Sequence, residues 1–181
     1  MTITVPSRLL SGDNAMTVKH LLSFLICVLA LGASSCKSLD DDRIPPAPVR
    51  ITFPTVAEWQ IYGTPGATDY KRFIKSEKIP SNYPWTALTE TGYGGVLLCS
   101  DVHGAPVAYD LSCPVEIRPD IRIIVDNEAM NAYCPKCHSV YDIFTNYGQP
   151  LSGPAAEDGY GLQKYYVGAG AAGEYMVVSR R

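Results

Sequence analysis

Apolar and polar positions along most of this chain alternate in short stretches closed by turn residues, a pattern of strands rather than long helices. Val49–Phe53 reads as a first strand, entered from the proline-rich segment Arg43–Pro48. Gly94 and Gly95 open Val96–Cys99, a turn through Gly104 follows, and Val107–Asp110 returns as a hairpin partner. Ile121–Asp126 is a β-branched run broken at Asn127, and Ala129–Tyr133 leads straight into Cys134. Tyr141–Phe144, Gln149–Leu151, Gln163–Val167 and Tyr175–Val178 complete the series. The glycine-rich loop Gly168–Gly173 joins the last two strands and lacks the strand-to-helix setting of a phosphate-binding loop. Short strands at this spacing predict an all-β fold, a small antiparallel sandwich or barrel.

Two regions depart from the pattern. Residues 54–90 scatter Trp59, Tyr62, Tyr70, Phe73, Tyr83 and Trp85 among glycine, proline and charge. Within them, Tyr70, Phe73 and Ile74 share one face of a short helix predicted over Asp69–Lys78, ended by Pro80 and Pro84. The region reads as an aromatic-rich insertion packed on the sheet, or alternatively as an aromatic ligand surface. The second departure is Leu21–Gly32, an apolar run of 12 residues behind Lys19 and His20. A membrane-spanning helix needs about 20 residues, so this run reads as a signal-peptide core. Met16 then stands as a plausible start.

Composition fits that outline. Of 181 residues, 46% are hydrophobic, enough for a core, and 12 tyrosines, 14 prolines and 15 glycines favour short strands and turns. The net charge of −3 gives no electrostatic footprint for nucleic acid, and no nucleic-acid partner is expected.

The candidate chemistry is cysteine chemistry. Cys113 lies in Asp110-Leu-Ser-Cys-Pro-Val-Glu116, and Cys134 and Cys137 lie in Cys134-Pro-Lys-Cys-His-Ser-Val-Tyr-Asp142. Two Cys-Pro loops, each following a strand, predict two halves of one metal or cluster site. Cys134 and Cys137 have zinc-knuckle spacing, and Cys113 with Glu116 or His138 would complete four ligands. A disulfide between Cys134 and Cys137, or a set of buried thiols, is the metal-free alternative. Cys99 falls mid-strand and reads as a small buried apolar residue; His103 falls in a turn and reads as solvent-facing.

Two resemblances follow from these motifs. Ala33-Ser-Ser-Cys36 behind the signal core resembles a bacterial lipobox with Ala33 where leucine is usual, which implies lipidation of Cys36. Residues 1–35 are then a signal peptide, 36–48 a lipidated tether and 49–181 the domain, and the acidic run Asp40–Asp42 resembles an export signal or is a solvated linker. The order Ala-Tyr-Asp, Cys-Pro, a strand pair, Cys-Pro-x-x-x-Ser-x-Tyr-Asp and Leu-Ser-Gly-Pro-Ala resembles a Rieske iron–sulfur domain, and in particular the divergent Rieske-like lipoproteins of Bacteroidetes. The resemblance implies Cys113 and Cys134 as ligands, Ser139 and Tyr141 as hydrogen-bond donors to sulfur, and Gly153 and Pro154 in a loop covering the site. It departs at the ligands: Val115 and Cys137 hold the histidine positions, and His138 holds a glycine position. What it implies is a [2Fe–2S]-type cluster with altered ligands and an electron-transfer role, with zinc or no metal as alternatives. No nucleophile–base pair is visible, so a redox carrier or binding module is expected rather than an enzyme. Its setting is the bacterial envelope, lipid-anchored to a membrane and meeting a redox or structural partner there. On this reading Cys36→Ala moves the protein from the membrane to the soluble fraction; unchanged membrane association would count against it.

Overall fold

The structure is a computed structural model that describes residues 38–180; the signal segment, Met16, Cys27 and Cys36 lie outside the described residues. The fold is nearly all β. Strands β1 (Val49–Phe53), β2 (Tyr70–Phe73), β3 (Glu90–Thr91), β4 (Val96–Ser100), β5 (Pro106–Asp110), β10 (Lys164–Gly168) and β11 (Met176–Ser179) form one antiparallel sheet. Its order is β2-β4-β5-β10-β11-β1-β3, and it curls into a nearly closed barrel. A second sheet pairs β6 (Ile124–Asp126), β7 (Asn131–Tyr133), β8 (Val140–Asp142) and β9 (Gln149–Ser152) in sequence order.

Side chains alternate across a strand, so a strand buried on both faces reads as a continuous apolar run. β4 shows this: Leu97 and Cys99 enter one core, Val96 and Leu98 the other. The first core includes Tyr109, Leu111, Ile123, Ala132, Tyr141 and Ile143, drawn from both sheets. The second is aromatic, with Phe53 edge-on to Trp59, Phe73 and Tyr83. The aromatics of residues 54–90 are therefore largely core, and Tyr83 Oη and Trp85 Nε1 donate to the carbonyls of Thr52 and Pro80. Cys99 is buried and His103 exposed, as read from the sequence.

Two sequence expectations are corrected here. Tyr70–Phe73 is not helical. It pairs with β4 from Tyr70 opposite Cys99 to Phe73 opposite Val96, because sheet pairing buries Phe73 completely. Only a 3₁₀ turn, Lys75–Glu77, follows it. The helix of this region lies upstream, α1 (Val56–Tyr62), begun by a capping box in which Thr55 accepts from Glu58 N–H and Glu58 accepts from Thr55 N–H. Residues 54–90 thus supply two strands of the large sheet as well as packing on it.

The start of the described chain is also held. Asp40 N–H donates to the Gly159 carbonyl and Gly161 N–H to the Asp40 carbonyl. Ile44 is buried, and the Arg43 guanidinium lies 3.6 Å from the centre of the Tyr160 ring while its Nε donates to the Pro114 carbonyl. Asp40, Asp41 and Asp42 pair with Arg43, Lys164 and Arg180. This segment lies along the domain rather than hanging as a tether.

One buried carboxylate ties the large sheet to the first Cys-Pro loop. Asp110, at the end of β5, accepts from the N–H groups of Tyr93, Gly94 and Ser112 and, at 2.6 Å, from the Tyr165 hydroxyl. Beyond it, Ser112 bridges to Arg122, with Ile123 N–H donating to the Leu111 carbonyl and Cys113 N–H to the Ile121 carbonyl. Removing the carboxylate strands several buried donors, each worth about 1–3 kcal/mol. Asp110→Ala is expected to lower unfolding free energy in urea by about 3 kcal/mol or more; a loss under about 1 kcal/mol would show that these donors find other partners.

Candidate metal centre

The two Cys-Pro loops meet at the base of the four-stranded sheet. Cys113 follows the strand-like bridge to Arg122, and Cys134 follows β7. Each cysteine opens a tight turn. Ile117 N–H donates to the Cys113 carbonyl at 2.9 Å, and His138 N–H donates to the Cys134 carbonyl at 3.0 Å. Cys134 N–H also donates to the Ser139 carbonyl, closing the second turn onto β8.

The turns bring three thiols together. The Sγ atoms of Cys113, Cys134 and Cys137 all lie within 4.8 Å of one another, and Cys113 and Cys137 are 3.5 Å apart. Cys113 and Cys134 are fully buried, whereas Cys137 is half-buried at the edge. All three stand as free thiols in the structure.

Two hydroxyls contact the sulfurs. Tyr141 Oη lies 3.6 Å from Cys113 Sγ, and Ser139 Oγ lies 3.2 Å from Cys137 Sγ. Burial, then the neighbouring Cys113 charge, pushes Tyr141 well above the ordinary phenol range, so it keeps its proton and can donate to sulfur. Ser139 is fully buried, and its oxygen also accepts from Ala155 N–H at 3.0 Å. In the thiol state Cys137 Sγ donates to this same oxygen; once Cys137 is a thiolate, the Ser139 proton can turn to it instead.

Gly153 and Pro154 cover this hydroxyl. Gly153 has φ +76, and a Cβ there would stand 2.9 Å from Ser139 Cα, so only glycine allows the approach. Pro154 then starts the short helix α2 (Pro154–Asp158), which presents Ala155 N–H to Ser139.

The thiols are not equivalent. Burial pushes Cys113 up to about 12 against the Glu116 N–H, the Tyr141 hydroxyl and the Val115 N–H. Burial also opposes ionisation of Cys137, but the Ser139 hydroxyl, the Ser139 N–H and the two neighbouring thiols together outweigh it and hold Cys137 below the ordinary thiol range. Cys137 is therefore the most accessible of the three thiols and more readily ionised than Cys113.

The remaining sequence candidates have other roles in the structure. Val115 packs against the first core from the position where the resemblance would put histidine. His138 is exposed and has φ +59, the left-handed conformation that suits a glycine position, and it is not in the metal-competent group. Glu116 is not in that group either; its carboxylate is 15% exposed and pairs at 2.7 Å with the ammonium of Lys136 on the opposite loop. Nothing in the sequence marks Lys136, three residues before Ser139, as the partner of a distant glutamate.

In metal-free protein, Ser139→Ala removes the strongest support for the Cys137 thiolate. Its rate of alkylation by iodoacetamide near neutral pH is expected to fall several-fold, with the pH profile displaced upward; an unchanged profile would mean that Ser139 does not act on Cys137. Compared with known proteins, the chain matches no family model, no curated protein and no solved structure.

Proposed function

We propose that this domain binds a single thiophilic metal ion, zinc or iron, through Cys113, Cys134 and Cys137, the ion joining the two Cys-Pro loops. The observation that carries the reading is the 3.5 Å separation of Cys113 and Cys137 within a three-thiol group no wider than 4.8 Å. A tetrahedral ion with metal–sulfur bonds of about 2.3 Å needs its sulfurs about 3.8 Å apart, so the group suits one ion with small adjustment. Soft thiolate donors select zinc or iron over magnesium or calcium. Binding expels the remaining thiol protons, so affinity rises with pH, and the metal couples to folding through both loops. The setting we propose is the envelope membrane, reached by a lipid on Cys36, with a redox or structural partner there.

A second reading, a [2Fe–2S] cluster with altered ligands serving electron transfer, is favoured by the Ser139 and Tyr141 hydroxyls at sulfur. Such hydrogen bonds raise a cluster's potential. In that arrangement Cys113 and Cys137 would serve different irons and stand farther apart than two ligands of one ion.

The test is metal content and the visible spectrum of protein purified without oxygen. One zinc or iron per chain, lost in Cys113→Ser and Cys134→Ser, is the expected result. Two irons per chain with acid-labile sulfide would favour the cluster, and metal-free protein with a cysteine disulfide would defeat both readings.

A further inference from the structure

We infer that Glu116 is the fourth ligand of this centre, which makes it a three-thiolate, one-carboxylate site; the inference rests on the reading that the three cysteines hold a metal.

The assignment rests on a repeat in the backbone. Cys113-Pro-Val-Glu-Ile117 and Cys134-Pro-Lys-Cys-His138 are turns of one kind. In each, the residue four after the first cysteine donates its N–H to that cysteine's carbonyl, at 2.9 and 3.0 Å. In each, the same residue has positive φ, +49 at Ile117 and +59 at His138. Neither is glycine, and a β-branched isoleucine at positive φ is a conformational outlier, costing about 1 kcal/mol or more. The Tyr93 hydroxyl donates to the Ile117 carbonyl and helps hold it there. Such strain beside a cluster of ligands points to a turn whose shape is required.

The repeat equates Cys113 with Cys134 and Glu116 with Cys137. Three of the four equivalent positions carry thiols that meet in space, and the fourth carries the one carboxylate of the first loop. A carboxylate is an ordinary zinc or iron ligand, and one carboxylate with three thiolates carries the same total charge as four thiolates.

The ion pair with Lys136 fits this assignment. It holds the Glu116 carboxylate across the gap between the loops, where a cation is already its partner. In this assignment the Glu116 carboxylate leaves the ammonium and turns to the three sulfurs, from whose group it stands apart in this structure. Lys136 is then a competitor for the ligand, and it stays close enough to offset part of the site's negative charge.

Cobalt(II)-substituted protein tests the assignment, because sulfur-to-cobalt charge-transfer intensity follows the number of thiolates. Glu116→Cys is expected to raise that intensity by about one third over the parent, from three thiolates to four. Glu116→Ala is expected to keep the intensity and weaken cobalt binding roughly tenfold or more, while Lys136→Met tightens it. Glu116→Gln, closest in shape, is expected to weaken binding as alanine does, which separates loss of a ligand from loss of the fold. If Glu116→Cys adds no intensity and Glu116→Ala binds cobalt like the parent, the assignment is overturned while three-thiolate binding stands. If the parent binds no cobalt, the metal reading falls, and the assignment with it.

Discussion

Four donors converge on one buried carboxylate, and the position of the candidate site follows from it. Asp110 gathers the N–H groups of Tyr93, Gly94 and Ser112 and the Tyr165 hydroxyl, and so joins β5, β10 and the loop before β4. A buried charge is tolerable only when hydrogen-bonded this fully. Its effect on the site is direct, because the chain leaves Asp110 through Ser112 into Cys113. The second loop is fixed by an analogous economy of polar groups: one buried hydroxyl, Ser139, serves both Cys137 and the first turn of α2. Each loop is thus registered against the core by a side chain that has no freedom to lose its partners.

Strands were legible wherever the local pattern and the final burial agreed. Val96–Cys99 reads as a strand because both faces are buried, and its hairpin partner follows from the turn at Gly104. Tyr70, Phe73 and Ile74 deceive because their spacing also fits a helix face; pairing along β4 decides the matter, and pairing is a long-range event. The helix α1 carried a readable signal, Thr55 with Glu58, that a search for strands passes over. The docking of Asp40–Ile44 rests on contacts with Tyr160 and Pro114 that sequence separation hides.

The site was half legible. The three cysteines, Ser139, Tyr141 and the Gly153–Pro154 cover come together as the motif order suggested. The roles of Glu116 and His138 did not follow from spacing, since both lie next to or near a cysteine. Backbone conformation separates them. His138 spends its position on a left-handed turn and points to solvent, whereas Glu116 occupies the place in its turn that Cys137 occupies in the other. On the proposed single-ion reading Cys113 and Cys137, 3.5 Å apart, share one metal, whereas in a cluster they would serve different irons.

X-ray absorption at the metal edge of protein purified without oxygen tests the central claim most directly. The account predicts one ion with three sulfur neighbours at about 2.3 Å and no second metal nearby. A short metal–metal scattering path, or fewer than three sulfurs around the ion, would contradict it.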